Sequence, residues 1–122
     1  MKRVMLKSKI HRATVTDANL HYEGSITVDA DLMDAARLAE YEQVDIYNIS
    51  NGNRFQTYVI SGRRGEGDIC LNGAAARLVS REDLIIICSY SVYDEGEVEK
   101  HVPALVYVDE KNRIKGPSAA HG

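Results

Sequence analysis

What most constrains the fold is the way this chain divides its apolar residues into short alternating runs separated by turn formers. Val4 to Val15, Val44 to Ile49, Arg54 to Ile60, Ile69 to Leu71, Leu84 to Cys88 and Ala104 to Val108 all read as strands, through apolar–polar alternation or apolar, β-branched runs. Ile26 and Val28 add a short one. Asn51-Gly52 is the favoured pair for a tight hairpin, and Asn72-Gly73 marks a second turn opening into three alanines. Thr16 to Asn19 reads as a turn, and Pro103 suits a strand start or an edge. In the first strand Val4, Leu6 and Ile10 fall on one parity and Lys7, Lys9 and His11 on the other, which predicts one apolar and one basic face.

One helix stands out. Asp29 and Asp31 are candidate N-caps for a stripe of Leu32, Met33, Ala35, Ala36 and Ala39. Asp94 to Lys100 reads as a charged connection. Strand and helix do not alternate, and no glycine-rich nucleotide loop follows a strand, so a mainly β barrel or sandwich with short helices is expected rather than a doubly wound sheet.

With 122 residues, 44% hydrophobic and 27% charged, residues 1–122 are expected to form one soluble domain with an aliphatic core. The net charge is −3, yet Lys2, Arg3, Lys7, Lys9, His11 and Arg12 precede the first acid at Asp17. That asymmetry favours an anion near the N-terminus, and a small carboxylate suits it better than a nucleic acid. The longest apolar run, Leu84 to Cys88, is far too short for a membrane span, so a cytoplasmic location is expected. Cys70 and Cys88 lie in apolar runs without metal-ligand spacing, and His11, His21, His101 and His121 show no such spacing either. Reduced thiols and no metal are the expectation.

Tyr22-Glu23-Gly24-Ser25 is the stretch able to react through its own backbone. A serine hydroxyl after a glycine can attack the preceding carbonyl, because glycine has no Cβ to obstruct it and tolerates strained angles. The amide becomes an ester. Loss of the serine α-proton then expels the ester by elimination, and hydrolysis of the dehydroalanine leaves a ketone-bearing pyruvoyl group at the new N-terminus. In most chains Gly-Ser is turn punctuation, so the remaining residues decide its meaning.

A decarboxylase must hold an anion, accept the electron pair left by departing carbon dioxide, and return a proton. Lys9 and Arg54 can grip carboxylates, Arg54 with a bidentate fork. Tyr58 is four residues after Arg54 on the same strand parity, so both can face one cavity. The Asn72 to Ala76 turn can offer backbone N–H groups to an anion.

The chain resembles the pyruvoyl-dependent aspartate 1-decarboxylases. The resemblance is carried by Met5-Leu6-Lys7-Ser8-Lys9-Ile10-His11-Arg12, Leu20-His21-Tyr22-Glu23-Gly24-Ser25, Asn51-Gly52 with Arg54, Thr57-Tyr58, and Asn72-Gly73-Ala74-Ala75-Ala76. It covers most of the chain to about Ile87 and weakens beyond Ser91. Tyr47 stands where many members carry Trp, and Arg77 where His is common.

The resemblance implies a six-stranded double-psi β-barrel that cleaves itself between Gly24 and Ser25, leaving a small chain, 1–24, and a large one, 25–122. Ser25 would become the pyruvoyl cofactor that forms a Schiff base with the amine of L-aspartate, with no metal and no pyridoxal phosphate. Thr57 would serve in cleavage and substrate binding, Tyr58 as proton donor, Lys9 and Arg54 as carboxylate binders. Asn72, Gly73, Ala74 and Ala75 would wall the pocket, with His11 and Tyr22 nearby. The product would be β-alanine for pantothenate and coenzyme A synthesis. Four processed protomers would assemble as a homotetramer with sites between subunits, and a maturation factor could assist the cleavage. The alternative from another class is a non-catalytic small β-barrel module that binds an acidic ligand or partner along its basic first strand.

Overall fold

The computed structural model describes residues 1–21 and 23–115. In chain order the strands are β1 (Lys2–Thr14), β2 (Asp17–Asn19), β3 (Ser25–Asp29), β4 (Gln43–Asn48), β5 (Arg54–Gly62), β6 (Ile69–Asn72), β7 (Leu84–Asp94) and β8 (Ala104–Tyr107). Two α-helices, α1 (Ala30–Ala36) and α2 (Glu95–Lys100), and a 3-10 helix over Gly73–Leu78 complete the elements. The strands form a mainly β sheet in the order β2-β6-β3-β5-β4-β7-β1-β8, consistent with a small β-barrel.

Six central strands build the core. Ile10, Ile26, Ile46, Val59, Leu71 and Ile87, one from each, are essentially inaccessible to solvent, and each such aliphatic side chain contributes roughly 1.5–3 kcal/mol of burial. Sequence resemblance implies six strands. The structure adds β2 and β8, of three and four residues, at the two ends of the sheet. The turn expected at Thr16 to Asn19 thus contains a short strand, parallel to β6. Pro103 immediately precedes β8, whose first residue is Ala104.

β1 departs from the simple alternation. Its register against β7 shifts between Leu6 and Ser8, with Leu6 opposite Tyr90 and Lys9 opposite Cys88. A bulge reverses the facing of the residues beyond it, so Lys9 shares the outer face with Val4 and Leu6 while Ile10 turns into the core. The expected split into an apolar and a basic face does not survive this one extra residue.

The Asn51-Gly52 hairpin is present but wider than a two-residue turn, since Tyr47 opposite Arg54 is the last pair. Asn48 explains the width: its Oδ1 accepts from the backbone N–H of Ser50 and Asn51 at 2.9 and 3.2 Å. Asp29 caps α1 by accepting from Asp31 N–H, and α1 stops at Arg37 in the left-handed region, short of Ala39. Asp29 also accepts from the N–H groups of Gly65 and Gly67 at 3.1 and 2.7 Å, so one buried carboxylate fixes both the helix start and the glycine-rich loop. Burial pushes its pKa up, but the three N–H donors and nearby Arg64 outweigh that and hold it below the ordinary value.

The charged Asp94–Lys100 segment contains a helix, α2, rather than a plain connection. Asp94 and Glu97 form a reciprocal capping box at its start, the D-x-x-E spacing that signals a helix N-terminus. No helix among the described residues is long and apolar enough to cross a membrane.

Candidate active site

Ser25 opens β3 and is 2% exposed. It lies opposite Asn72, the last residue of β6, and Thr27 lies opposite Cys70. Because Ile26, Val28, Leu71 and Ile69 fill the core, alternation sends Ser25, Thr27, Asn72 and Cys70 together to the other face of the sheet. There Asn72 Nδ2 donates to Ser25 Oγ at 2.9 Å and to Thr27 Oγ1 at 3.0 Å. Ser25 Oγ in turn lies 3.5 Å from the Glu23 carbonyl oxygen. A donated hydrogen bond favours the negative charge that would develop on the serine oxygen were its proton removed.

A Cβ at Gly24 would meet nothing within 4 Å among the described residues beyond its chain neighbours Glu23 and Ser25, and its φ is not among the positive ones. Gly73, by contrast, has φ +64 and starts the 3-10 helix in which Ala74 is exposed and Ala75 packs on the core. The Asn72-Gly73 turn therefore continues directly into a 3-10 helix that begins with small side chains. Tyr22 lies outside the described residues.

β5 carries three expected residues on two faces. Val59 is in the core and Phe55 packs against it, so Thr57 shares their parity, while Arg54, Gln56 and Tyr58 point outward. β3 runs parallel to β5 with Ile26 beside Val59. Ser25 and Tyr58 each stand one residue before that pair and so share the parity opposite to it, with Ser25 buried and Tyr58 exposed. Tyr58 and Thr57 line a groove of about 660 Å³ with Tyr41, Gln43 and Gln56. Arg54 is not in that lining. Its guanidinium sits 4.2 Å from the centre of the Tyr47 ring, and Tyr47 is held by Tyr90, hydroxyl to hydroxyl at 2.9 Å. That bond, with burial next, pushes the Tyr90 phenol well up, so it remains protonated.

Lys9 reaches the same face from a distance. Successive register pairs align Lys9, Cys88, Asp45 and Gln56 across β1, β7, β4 and β5. Gln56 sits between Arg54 and Tyr58, but the row spans three strand spacings, about 14 Å. Lys9 forms no ion pair among the described residues. His11 packs edge-on against Tyr107 with centroids 5.5 Å apart. Burial, then Lys9, Arg12 and Lys115, lower its pKa, and its Nδ1 is buried without a hydrogen-bond partner.

The structure thus brings Ser25, Thr27, Asn72 and Cys70 together, while Tyr58 precedes the Ile26–Val59 pair on the neighbouring strand and lines a groove with Tyr41, Gln43, Gln56 and Thr57. Arg54 lies further along the same face, Lys9 across it and Thr57 on the opposite parity. Sequence reasoning passed over Thr27, Cys70 and Tyr90. The period-2 rule applied to Ser25-Ile26-Thr27 and to Cys70-Leu71-Asn72 points to the first two; nothing local identifies Tyr90.

Fold and site define a small mainly β protein in which an amide-held, buried serine directly follows a glycine. The chain belongs to the aspartate decarboxylase family, whose sequence profile matches residues 1–115. It is 62% identical over 115 residues to the aspartate 1-decarboxylase of Syntrophus aciditrophicus, covering 94% of this chain and 99% of that one. Similarity to the enzymes of that name from Acetivibrio thermocellus (62% over 110 residues, 90% and 87% of the two chains) and Heliobacterium modesticaldum (58% over 114 residues, 93% and 86%) is comparable.

Proposed function

We propose that this chain converts L-aspartate to β-alanine and carbon dioxide after cutting itself between Gly24 and Ser25. The observation that carries this reading is the 2.9 Å bond from Asn72 Nδ2 to the buried Ser25 Oγ, in a chain of this family. Ser25 fits the precursor of a pyruvoyl group: its oxygen is shielded from water and already accepts a hydrogen bond. When present, that group supplies a ketone able to take the substrate amine and an electron sink for the departing carboxylate.

The chain's own residues do the rest. Asn72 and Thr27 stand beside position 25 and hold polar atoms there in fixed places. Arg54 binds the carboxylate that is retained, which decides which of the two leaves. Tyr58, on the strand beside that of Ser25, donates the proton to the α-carbon through its hydroxyl. Thr57 serves cleavage from the groove wall, and Gly73, Ala74 and Ala75 close the pocket beyond Asn72. His11 is neutral near pH 7, since its pKa lies below the ordinary value, and so leaves the anion to Lys9 and Arg54.

The three strand spacings between Lys9 and Gln56 within one chain support a site completed by a second copy, and the family resemblance is what suggests an assembly of four. Exposed Val4, Tyr90 and Val92 beside Lys9 offer apolar surface for such contact.

The test is the intact mass of the purified protein before and after warm incubation, followed by an assay for β-alanine. Two chains split after Gly24, the larger without a free amine and reactive toward a hydrazine, are expected. An uncut chain that stays uncut with cell extract added, and forms no β-alanine, would favour the non-catalytic module.

A further inference from the structure

Asn72 ends β6 where a side chain commonly caps the following helix, yet it makes no such cap to the 3-10 helix. Its amide is committed elsewhere. Both Nδ2 hydrogens have acceptors, Ser25 Oγ and Thr27 Oγ1. On the other side Oδ1 accepts from the thiol of Cys70 at 3.2 Å, while the Leu71 carbonyl is more distant from the same sulfur at 3.9 Å. The four side chains are fixed in this square by the register Ser25 opposite Asn72 and Thr27 opposite Cys70.

The two serine and threonine hydroxyls can either donate or accept. They alone do not decide which way the amide points: turned over, Oδ1 would accept from both hydroxyls, and Ser25 would spend its proton on Asn72 instead of receiving one. The thiol breaks this symmetry. As a donor it satisfies Oδ1, whereas a turned amide would leave two N–H hydrogens facing one sulfur, a weak acceptor, in a residue that is 2% exposed. Burial, with Asp17 and Asp68 adding to it, raises the Cys70 pKa, which keeps the thiol protonated and able to donate.

We propose that Cys70 is a positioning residue for self-cleavage: its thiol fixes the Asn72 amide so that Nδ2, not Oδ1, faces the Ser25 hydroxyl. This rests on the reading that Ser25 is the cleaving residue, and it predicts that residue 70 acts on the reaction only through Asn72.

The experiment compares the rate of chain splitting, followed by intact mass, in Cys70→Ala, Cys70→Ser, Asn72→Ala and the double variant Cys70→Ala/Asn72→Ala. Loss of the thiol donor should slow cleavage about tenfold, the worth of one hydrogen bond. Serine, which restores a donor, should recover most of the rate. The double variant should be no slower than Asn72→Ala alone, because residue 70 has then lost the group it acts through. An unchanged rate in Cys70→Ala, no recovery with serine, or multiplying losses in the double variant would overturn the proposal.

In freshly purified uncut chain, the side-chain amide protons of Asn72 give a readout independent of cleavage. Cys70→Ala should shift them and speed their exchange with water, and Cys70→Ser should not. If the wild-type chain never cleaves, the functional reading fails, while these amide signals still decide whether Cys70 holds Asn72. Signals unaltered in Cys70→Ala would refute that hold.

Discussion

The guanidinium of Arg54 lies over the ring of Tyr47 at 4.2 Å, on neighbouring strands where the two residues are direct partners. For the carboxylate binding proposed for Arg54, the ring would do two things: attract the cation and limit the directions in which the fork can point. A cation over an aromatic face is worth about 0.5–1 kcal/mol at an exposed site. Tyr47→Leu should therefore raise KM for aspartate about threefold to fivefold with kcat little changed. Tyr47→Phe, which keeps the ring, should stay near wild type. Arg54→Ala, losing a charge-assisted pair, should raise KM roughly a hundredfold. Steady-state kinetics at fixed pH check all three, and an unchanged KM in Arg54→Ala would remove Arg54 from substrate binding.

Gly24 and Gly52 should respond differently to the same substitution. Gly52 has φ +82, where a side chain is strained, so Gly52→Ala should cost about 1 kcal/mol and lower Tm by roughly 4 °C. A Cβ at Gly24 meets no described residue within 4 Å beyond its chain neighbours, and Gly24→Ala should leave Tm unchanged. If Gly24→Ala cleaves more slowly while melting normally, the glycine serves the reaction and not the fold. A large drop in Tm for Gly24→Ala would contradict the geometry.

Glu42 should make stability depend on acid. Its carboxylate takes both oxygens to Lys7 Nζ at 2.8 and 2.9 Å, accepts from Ala39 N–H at 3.0 Å and accepts from the Ser89 hydroxyl. Burial alone would raise its pKa, but these donors prevail and hold it below the ordinary 4.5. A carboxylate depressed in the fold contributes stability that is fully present above the unfolded value and is lost as pH falls through the folded one. Glu42→Gln should thus be destabilised by roughly 2 kcal/mol at pH 7, and the gap to wild type should narrow below pH 4.5. Melting curves across that range, with both proteins in the same cleavage state, test it; parallel curves would show that Glu42 is not depressed.

Much of this was legible because strands announce themselves residue by residue. Alternation around Ile26, Ile46, Val59 and Leu71 foretells which side chains enter the core, and the same rule puts Arg54 and Tyr58 on one face. What escaped is what alternation does not encode. The bulge at Lys7 moves Lys9 to the face of Val4, and no local signal marks an extra residue whose cost is met by pairing with β7. The width of the Asn48–Asn53 loop depends on a side chain of the preceding strand folding back on its own backbone. Tyr90 joins Tyr47 only because β7 pairs β4, a contact between residues 43 positions apart. The capping box of α2 was written in the sequence and hidden by its charge.

Cleavage after Gly24 would release residues 1–24 from the covalent chain, and the pairing of β1 argues that they should stay. β1 runs against β7 from Lys2 opposite Asp94 to Thr14 opposite Leu84, and against β8 from Ser8 to His11. Ile10, Ala13 and Val15 are wholly buried, and Lys7 is clamped by Glu42. Asn112 locks the end of the strand by accepting from Thr14 N–H at 2.7 Å and donating to its carbonyl at 2.8 Å. Without covalent linkage, the fragment's three core side chains still supply several kcal/mol of burial, on the order of 1.5–3 for each larger aliphatic, beside a full strand of backbone pairing. The two pieces should therefore elute together in native chromatography and part only in denaturant, as masses recorded under both conditions will show. Ile10→Asp places an unpaired charge in the core and should either release the small fragment after cleavage or prevent folding. Loss of the wild-type fragment on simple dialysis would mean that β1 is held far more weakly than its pairing implies, and that Lys9 cannot belong to a lasting site.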